Sequence, residues 1–314
     1  MIRYILKRFS QSLVTLFIVV SLVFLLMRLL PLEGYFAEGY DKLSEEQKVA
    51  ALDRMGLLDP WYAQLGNFYA KLSRGDLGTS IIYRRDVPVT EVIAPRIPYS
   101  MFFGIFATLL ALVAGLSLGV FMARKKGRTL DKAGTAYIVL INAMPSAVYL
   151  LFIQLYGTSL FNLPILFDKY RVKSWILPAI SLSLGGIAGY AMWIRRYMVD
   201  ELNKDYIKLA RAKGLPEKLI MVRHVMRNAF VPMAQYLPAA ILSTIAGSIY
   251  IESLYSIPGM GGLLVDVIQR QDNPMVQALV LIFSSVGIIG LFLGDILMAM
   301  FDPRIKLVKG EGSR

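Results

Sequence analysis

The 314-residue chain has no cysteine and a single histidine, His224. The missing cysteines exclude a disulfide framework, a thiolate metal site and a cysteine nucleophile together, and leave the redox compartment unread. One histidine allows no multi-histidine metal site and no evident Ser-His-Asp set, so His224 is read as a packing and hydrogen-bonding residue. No G-x-x-x-x-G-K-[ST] run occurs, and without it no backbone loop of that kind cradles ATP. Charge is also scarce. Asp, Glu, Lys and Arg make up 18% of the residues and hydrophobic types 56%, whereas a soluble domain averages about 25% charged.

What is present is long apolar runs. A helix crossing lipid needs about 20 mainly apolar residues, because the bilayer offers no partner for unpaired backbone groups. Six stretches meet that test: 10–30, 99–122, 133–156, 175–194, 230–251 and 275–300. The fold class expected is an all-α polytopic membrane protein with six transmembrane helices. The net charge of +12 follows from topology and not from nucleic-acid binding. With the N-terminus inside, the inside segments hold 21 Lys and Arg and the outside segments 12. Eight of those 12 lie in the long 31–98 segment beside ten acids, where loop length weakens the positive-inside rule. Both termini are therefore expected in the cytoplasm.

A secretory signal is the competing reading of the first thirty residues, but the apolar stretch is too long and no small-x-small site closes it. Ahead of it, Ile2, Ile5, Leu6 and Phe9 share one helical face and Arg3, Lys7 and Arg8 another, as in a helix lying on an anionic leaflet. The 31–98 segment reads as a folded outer cap. Ser44 with Gln47 forms a capping box for a helix closed by Gly56, and Asp59 as N-cap with Pro60 at N1 opens a second helix that runs to about Ser73. Gly115/Gly119, Gly185/Gly189 and Gly290/Gly294 fit G-x-x-x-G and are read as general close packing. Pro145, Pro178 and Pro238 in or near the spans point to kinks around a polar path. Asp295 is expected to pair with a basic group near the inner interface and Arg28 to snorkel outward.

The polar stretch 195–232 reads as two helices. The first carries Tyr206, Leu209 and Ala210, with Ile207 beside them, and stops at Gly214, a residue suited to the left-handed cap. Pro216 begins the second, through Leu219, Ile220, Val222, Arg223 and Met226. Small Ala210 and Ala212 permit close approach of a partner, and Lys208, Arg211, Lys213, Lys218, Arg223 and Arg227 supply charge. A projecting helix, turn and helix suits docking into a groove.

The run Asp205-Tyr206-Ile207-Lys208-Leu209-Ala210-Arg211-Ala212-Lys213-Gly214-Leu215, followed by Arg223-His224-Val225-Met226-Arg227-Asn228-Ala229 and Pro232, resembles the EAA loop of ABC importer permeases in the form found in the dipeptide and oligopeptide permease family. Gly56-Leu57 with Asp59-Pro60, Gly75-Asp76-Leu77-Gly78-Thr79-Ser80, Pro258-Gly259-Met260-Gly261 and Asp302-Pro303-Arg304 are similar to that family in the same order. The match is to the first of the two permease subunits. It departs at Pro31-Leu32-Glu33-Gly34, where the family usually has a Pro-Gly-Asp-Pro-like turn.

The resemblance implies a type I importer permease with an external loop domain between spans 1 and 2. It pairs with a homologous second permease, two ATPase subunits that bind ATP and Mg, and an external peptide-binding protein; no cofactor sits on this chain. Asp205 to Gly214 would enter the ATPase groove, with Arg223, His224, Asn228 and Pro232 completing the coupling loop. Glu252, Pro258, Gly259 and Gly261 would form an outer gate, and Pro145, Ser146, Ser243 and Gly247 would line the pore. The resulting division is 1–30 (surface helix and span 1), 31–98 (outer loop), 99–300 (permease core with the coupling loop 195–232) and 301–314 (cytoplasmic tail). A nickel or metal-chelate permease is the rival within the class. A secondary transporter or channel is the rival outside it, but no inverted repeat or paired intramembrane charge supports that reading.

Overall fold

The computed structural model describes residues 2–29, 36 and 43–301. The 31–34 turn, the Asp302-Pro303-Arg304 motif, the tail from 302 on, and the side chains of Ile2 and Arg3 lie outside the described residues. No strand occurs among those described, only an isolated bridge between Thr79 and Pro88. Four helices are long and apolar enough to cross a membrane, or up to six if two sharply bent pairs each count as one crossing. The four lie in α1 (Ile2–Met27), α5 (Ile97–Arg124), α8 (Lys173–Leu202) and α15 (Asn273–Phe301).

Helix α1 is continuous from Ile2, so the basic N-terminal segment extends the first span instead of forming a separate surface helix. After it come α2 (Glu45–Arg54), α3 (Trp61–Ser73) and α4 (Val89–Ile93). The capping box is present in full: the Ser44 hydroxyl accepts from Gln47 N, and the Gln47 side chain accepts from Ser44 N. Gly56, at φ +68°, ends the turn after α2. The second start differs by one position, since Pro60 itself is the N-cap and no side chain caps α3. Proline at that position needs no N–H, and its fixed φ leads the chain into the first turn.

Two expected spans are broken. The 133–156 stretch is two helices, α6 (Thr129–Ala143) and α7 (Ser146–Phe161), bent by 109°. Met144 is extended, at φ −90° and ψ 137°, because the Pro145 ring disfavours a helical conformation in the residue before it. The 230–251 stretch is divided among α11 (Arg227–Ala234), α12 (Leu237–Ser243) and α13 (Ile249–Tyr255). Pro232 and Pro238 remove helical donors there, and Gly247 at φ +71° turns the chain into α13. The second bent pair is α13 with α14 (Met260–Gln269), at 83°.

Helices α5 and α8 form the central seam. A Cβ on Gly119 would lie 2.5 Å from the Ala191 carbonyl oxygen, and one on Gly115 2.8 Å from that of Ile187. Gly290 likewise faces Ala239 of α12, with Cα 2.8 Å from such a Cβ. Two of the three G-x-x-x-G pairs are thus close-approach seams within the chain. At the third, Gly189 has open space around it. Asp295 pairs with Arg8 at 3.4 Å and accepts from Gln235 Nε2 at 3.3 Å, so it ties α1, α15 and the α11–α12 turn together as a structural acid. The Arg28 guanidinium lies 4.6 Å from the Phe24 ring centroid.

Candidate functional site: a coupling helix and a buried carboxylate turn

Helix α9 (Asp205–Ala212) ends as its sequence requires. Gly214 has φ +75°. Its N–H donates to Arg211 O at 2.9 Å, and Leu215 N–H donates to Ala210 O at 3.2 Å, which is the paired-bond pattern of a glycine-closed helix end. Pro216 then caps the short α10 (Glu217–Leu219), and the helix continues as a π segment, Ile220–Met226, into α11. A π segment was not anticipated. Widened turns of this kind are frequent at functional sites.

The inward face of α9 is Ile207 and Ala210, buried with Ile194 and Met198 of α8 and with Ile220 and Val225 of the π segment. Ala210, 7% exposed, lies in the chain's own core, three residues from Ile207 on one helical face, and not on the outward face where its small size suggested a partner contact. The outward face presents exposed Leu209, Ala212, Lys213 and Gly214. Tyr206 is fixed at the base of the helix. Its hydroxyl bonds the Glu201 carboxylate and accepts from Asn228 Nδ2 at 2.8 Å. Burial, and then the Glu201 bond, push the Tyr206 phenol above its ordinary range, so it stays a neutral donor. Arg211 forms a two-point pair with Glu217 at 2.8 and 3.2 Å across the turn. That hydrogen bond holds the Glu217 carboxyl below the usual range. Asp205 pairs with Lys208 at 2.8 Å. Arg223 is exposed. His224 is half-buried in the π segment, and its ring has no hydrogen-bond partner among the described residues. Of the role expected for it, only packing is observed. Pro232 lies inside α11.

The residues expected at an outer gate meet around Glu252, which is 3% exposed. Its carboxylate accepts from Ser100 Oγ at 2.7 Å, Gly262 N at 3.0 Å and Ser248 N at 3.2 Å. Ser100 Oγ in turn accepts from Met260 N at 2.8 Å, so the carboxylate and the serine close the α13–α14 bend onto the start of α5. Space explains the glycines. A Cβ on Gly259 or Gly247 would overlap the Glu252 carboxylate, and one on Gly261 would lie 2.7 Å from Ile249 N. Pro258 precedes this turn. Ser243, Gly247 and Glu252 line one cavity of about 190 Å³ with Ser100, Thr108 and Tyr190. Pro145 and Ser146 are exposed at the α6–α7 break and do not line it.

Ser100, Glu201, Glu217 and Asp272 went unnoticed in the sequence. Asp272 is fully buried, and its carboxylate accepts from Ser80 Oγ at 2.6 Å, Tyr83 N at 2.9 Å and Ile82 N at 3.0 Å. It thereby clips the 80–83 turn to the α14–α15 junction. The run Asp272-Asn273-Pro274 was a readable helix start, but nothing local pointed to Ser80. Among the described residues no three His, Cys, Asp or Glu gather to hold a metal ion.

A polytopic helical chain that combines a short amphipathic helix, packed onto the end of a membrane helix with its other face exposed, with a cavity between its helices has the build of a transport permease. The chain belongs to the family of binding-protein-dependent transport system inner membrane components, whose model matches residues 115–307. The dipeptide transport system permease protein DppB of Lactococcus lactis subsp. cremoris is 34% identical over 313 residues, covering 98% of this chain and 100% of that protein. The oligopeptide transport system permease protein AppB of Bacillus subtilis is 31% identical over 318 residues, covering 98% and 100%. The glutathione transport system permease protein GsiC of Salmonella typhimurium is 33% identical over 312 residues, covering 98% and 99%. Among solved structures, an amino acid ABC transporter chain shares the fold, with TM-score 0.51 at 16% identity over 68% of this chain and 94% of that one.

Proposed function

We propose that the chain is the pore-forming permease subunit of an ABC importer that takes short peptides from an external binding protein into the cytoplasm. The observation that carries the reading is the match along nearly the whole chain to permeases named for dipeptide and oligopeptide transport. A homologous second permease completes the pore. Two ATPase subunits supply the energy with their own ATP and Mg, and this chain has no catalytic role and no cofactor. The nickel-chelate alternative has no structural observation in its favour.

The chain's own part is mechanical. The outward face of α9 seats in an ATPase groove, and its inward face, Ile207 and Ala210, bears on Ile194 and Met198 of α8. Helix α8 moves with α5 because the Gly115 and Gly119 seam leaves no slack. Helix α5 carries Ser100 near its other end, where it holds Glu252. Displacement of α9 is thereby transmitted to the turn that closes the cavity.

Gly214→Val tests the coupling. A Cβ at Gly214 meets open space, so the cost is backbone strain of about 1–2 kcal/mol at a left-handed residue, local to the docking element. The variant should insert and assemble with the second permease, yet lose substrate-stimulated ATPase activity and uptake together. It should also reproduce the deletion phenotype: no growth on a peptide as sole source of a required amino acid, with nickel-dependent urease activity intact. Normal uptake with Gly214→Val would refute the coupling role, and loss of urease activity alone would favour the metal-chelate reading.

The excess of basic residues in alternate segments supports a cytoplasmic location for both termini. Because the chain lacks cysteine, single cysteines report this directly. The one at Lys48 should react with an impermeant reagent in sealed cells and those at Lys126 and Lys213 should not; labelling at Lys213 would reverse the orientation.

A further inference from the structure

A second cavity, of about 470 Å³, opens where the end of α5, the first half of α6 and the last third of α8 meet, far in sequence from the Glu252 turn. One wall is apolar, with Met122, Ile138, Val139 and Met192; the rim is basic, with Lys126, Arg195 and Arg196. Arg195 is already committed. Its guanidinium makes a two-point pair with Asp131, at 2.5 and 2.8 Å, and the Asp131 carboxylate also accepts from Gly127 N. Lys126 and Arg196 have no ion-pair partner among the described residues. Arg196 lies over the Trp193 ring, 5.6 Å from its centroid. Asp200, one turn further along α8, is the only other acid on the rim and makes no ion pair with Arg196.

We infer that this cleft binds an anionic phospholipid, with the phosphate between Lys126 and Arg196 and an acyl chain along Ile138, Val139 and Met192. Three observations favour lipid over a protein occupant. The rim lies just beyond the apolar stretches of α5 and α8, the position along a membrane helix at which Trp, Lys and Arg act as interfacial anchors. The apolar wall continues into the exposed surface of α6 through Val139 and Leu140, 59% and 57% exposed, as a lipid-facing helix does. The two cations match a phosphate on one side and hydrocarbon on the other, the arrangement by which basic clefts between membrane helices hold anionic headgroups. The inference rests on the chain's place in the membrane and not on its cargo, so it can fail or stand independently of the peptide reading.

Trp193 provides the probe. The intact transporter is placed in nanodiscs containing phosphatidylglycerol or phosphatidylcholine with brominated chains, and the fluorescence difference between wild type and Trp193→Phe isolates the signal of Trp193. Brominated phosphatidylglycerol should quench it at a lower mole fraction than brominated phosphatidylcholine. Lys126→Gln with Arg196→Gln should reduce that preference by about thirtyfold, as expected for two basic groups at an anionic interface. Lys48→Gln should leave it unchanged. Inorganic phosphate should not relieve the quenching. Equal quenching by the two lipids, an undiminished preference in the double variant, or displacement by inorganic phosphate would each overturn the proposal. So would efficient cross-linking of a cysteine at Val139 to the second permease, because protein would then fill the cleft.

Discussion

Glu252→Ala is expected to destabilise the transporter and abolish uptake. The substitution leaves the Ser100 hydroxyl and the N–H groups of Ser248 and Gly262 without their acceptor in a site that is 3% exposed. Each buried unmet donor costs about 1–3 kcal/mol. Glu252→Gln keeps the shape but turns an amide NH2 toward at least one of those donors. Its cost should therefore be intermediate, about 1–2 kcal/mol for a single mismatched polar contact. The expected order in thermal unfolding of the detergent-solubilised complex, followed by tryptophan fluorescence, is wild type, then Gln, then Ala. Gly261→Ala should resemble Glu252→Ala, because its Cβ would meet the Ile249 backbone at 2.7 Å and the backbone cannot yield as a side chain can. An Ala variant that melts and transports like wild type would show that the carboxylate does not hold the turn.

Asp272→Ala is expected to free the 80–83 turn while leaving the helices assembled. In the native chain one carboxylate oxygen gathers the Ser80 hydroxyl and the N–H groups of Ile82 and Tyr83, and Ser80 Oγ accepts from Arg84 N at 2.8 Å. Loss of the carboxylate unravels both sets of bonds. Val89, Val92 and Ile93 of α4 stay buried against Met260, Leu263 and Val267, so release is confined to the turn. Trypsin supplies the measurement, since Arg84 and Arg85 lie in the freed segment. With about 3 kcal/mol removed from local closure, cleavage there should quicken by about a hundredfold. Asp272→Asn, which retains one acceptor oxygen, should fall between the two. Unchanged cleavage in the Ala variant would mean that the segment is held by packing alone.

These two carboxylates also mark where sequence reasoning stops. The capping box at Ser44 and Gln47, the stop at Gly214 and the long apolar runs were legible because each depends on residues within a turn or two, or on plain hydrophobic length. The breaks at Pro145 and near Pro238 were half legible. Proline announced a kink, but a kink and a 109° bend read alike until neighbouring helices select the angle. Ala210 misled for a different reason. Its small size suggested a partner contact, whereas its position one turn from Ile207 buries it against α8.

The sequence alone determined that this is a polytopic helical membrane protein, which segments are apolar enough to span, where the basic residues cluster between them, and that a helix ends at Gly214. Capping, left-handed glycine geometry and the cost of backbone in lipid act locally, so composition and spacing suffice to read them. Only the tertiary structure decided that Glu252 meets Ser100 across 152 residues and Asp272 meets Ser80 across 192. Nothing local distinguishes a buried carboxylate from a solvated one. Its partners are set by which helix ends packing brings together, and a charge buried there without them would be too costly to keep.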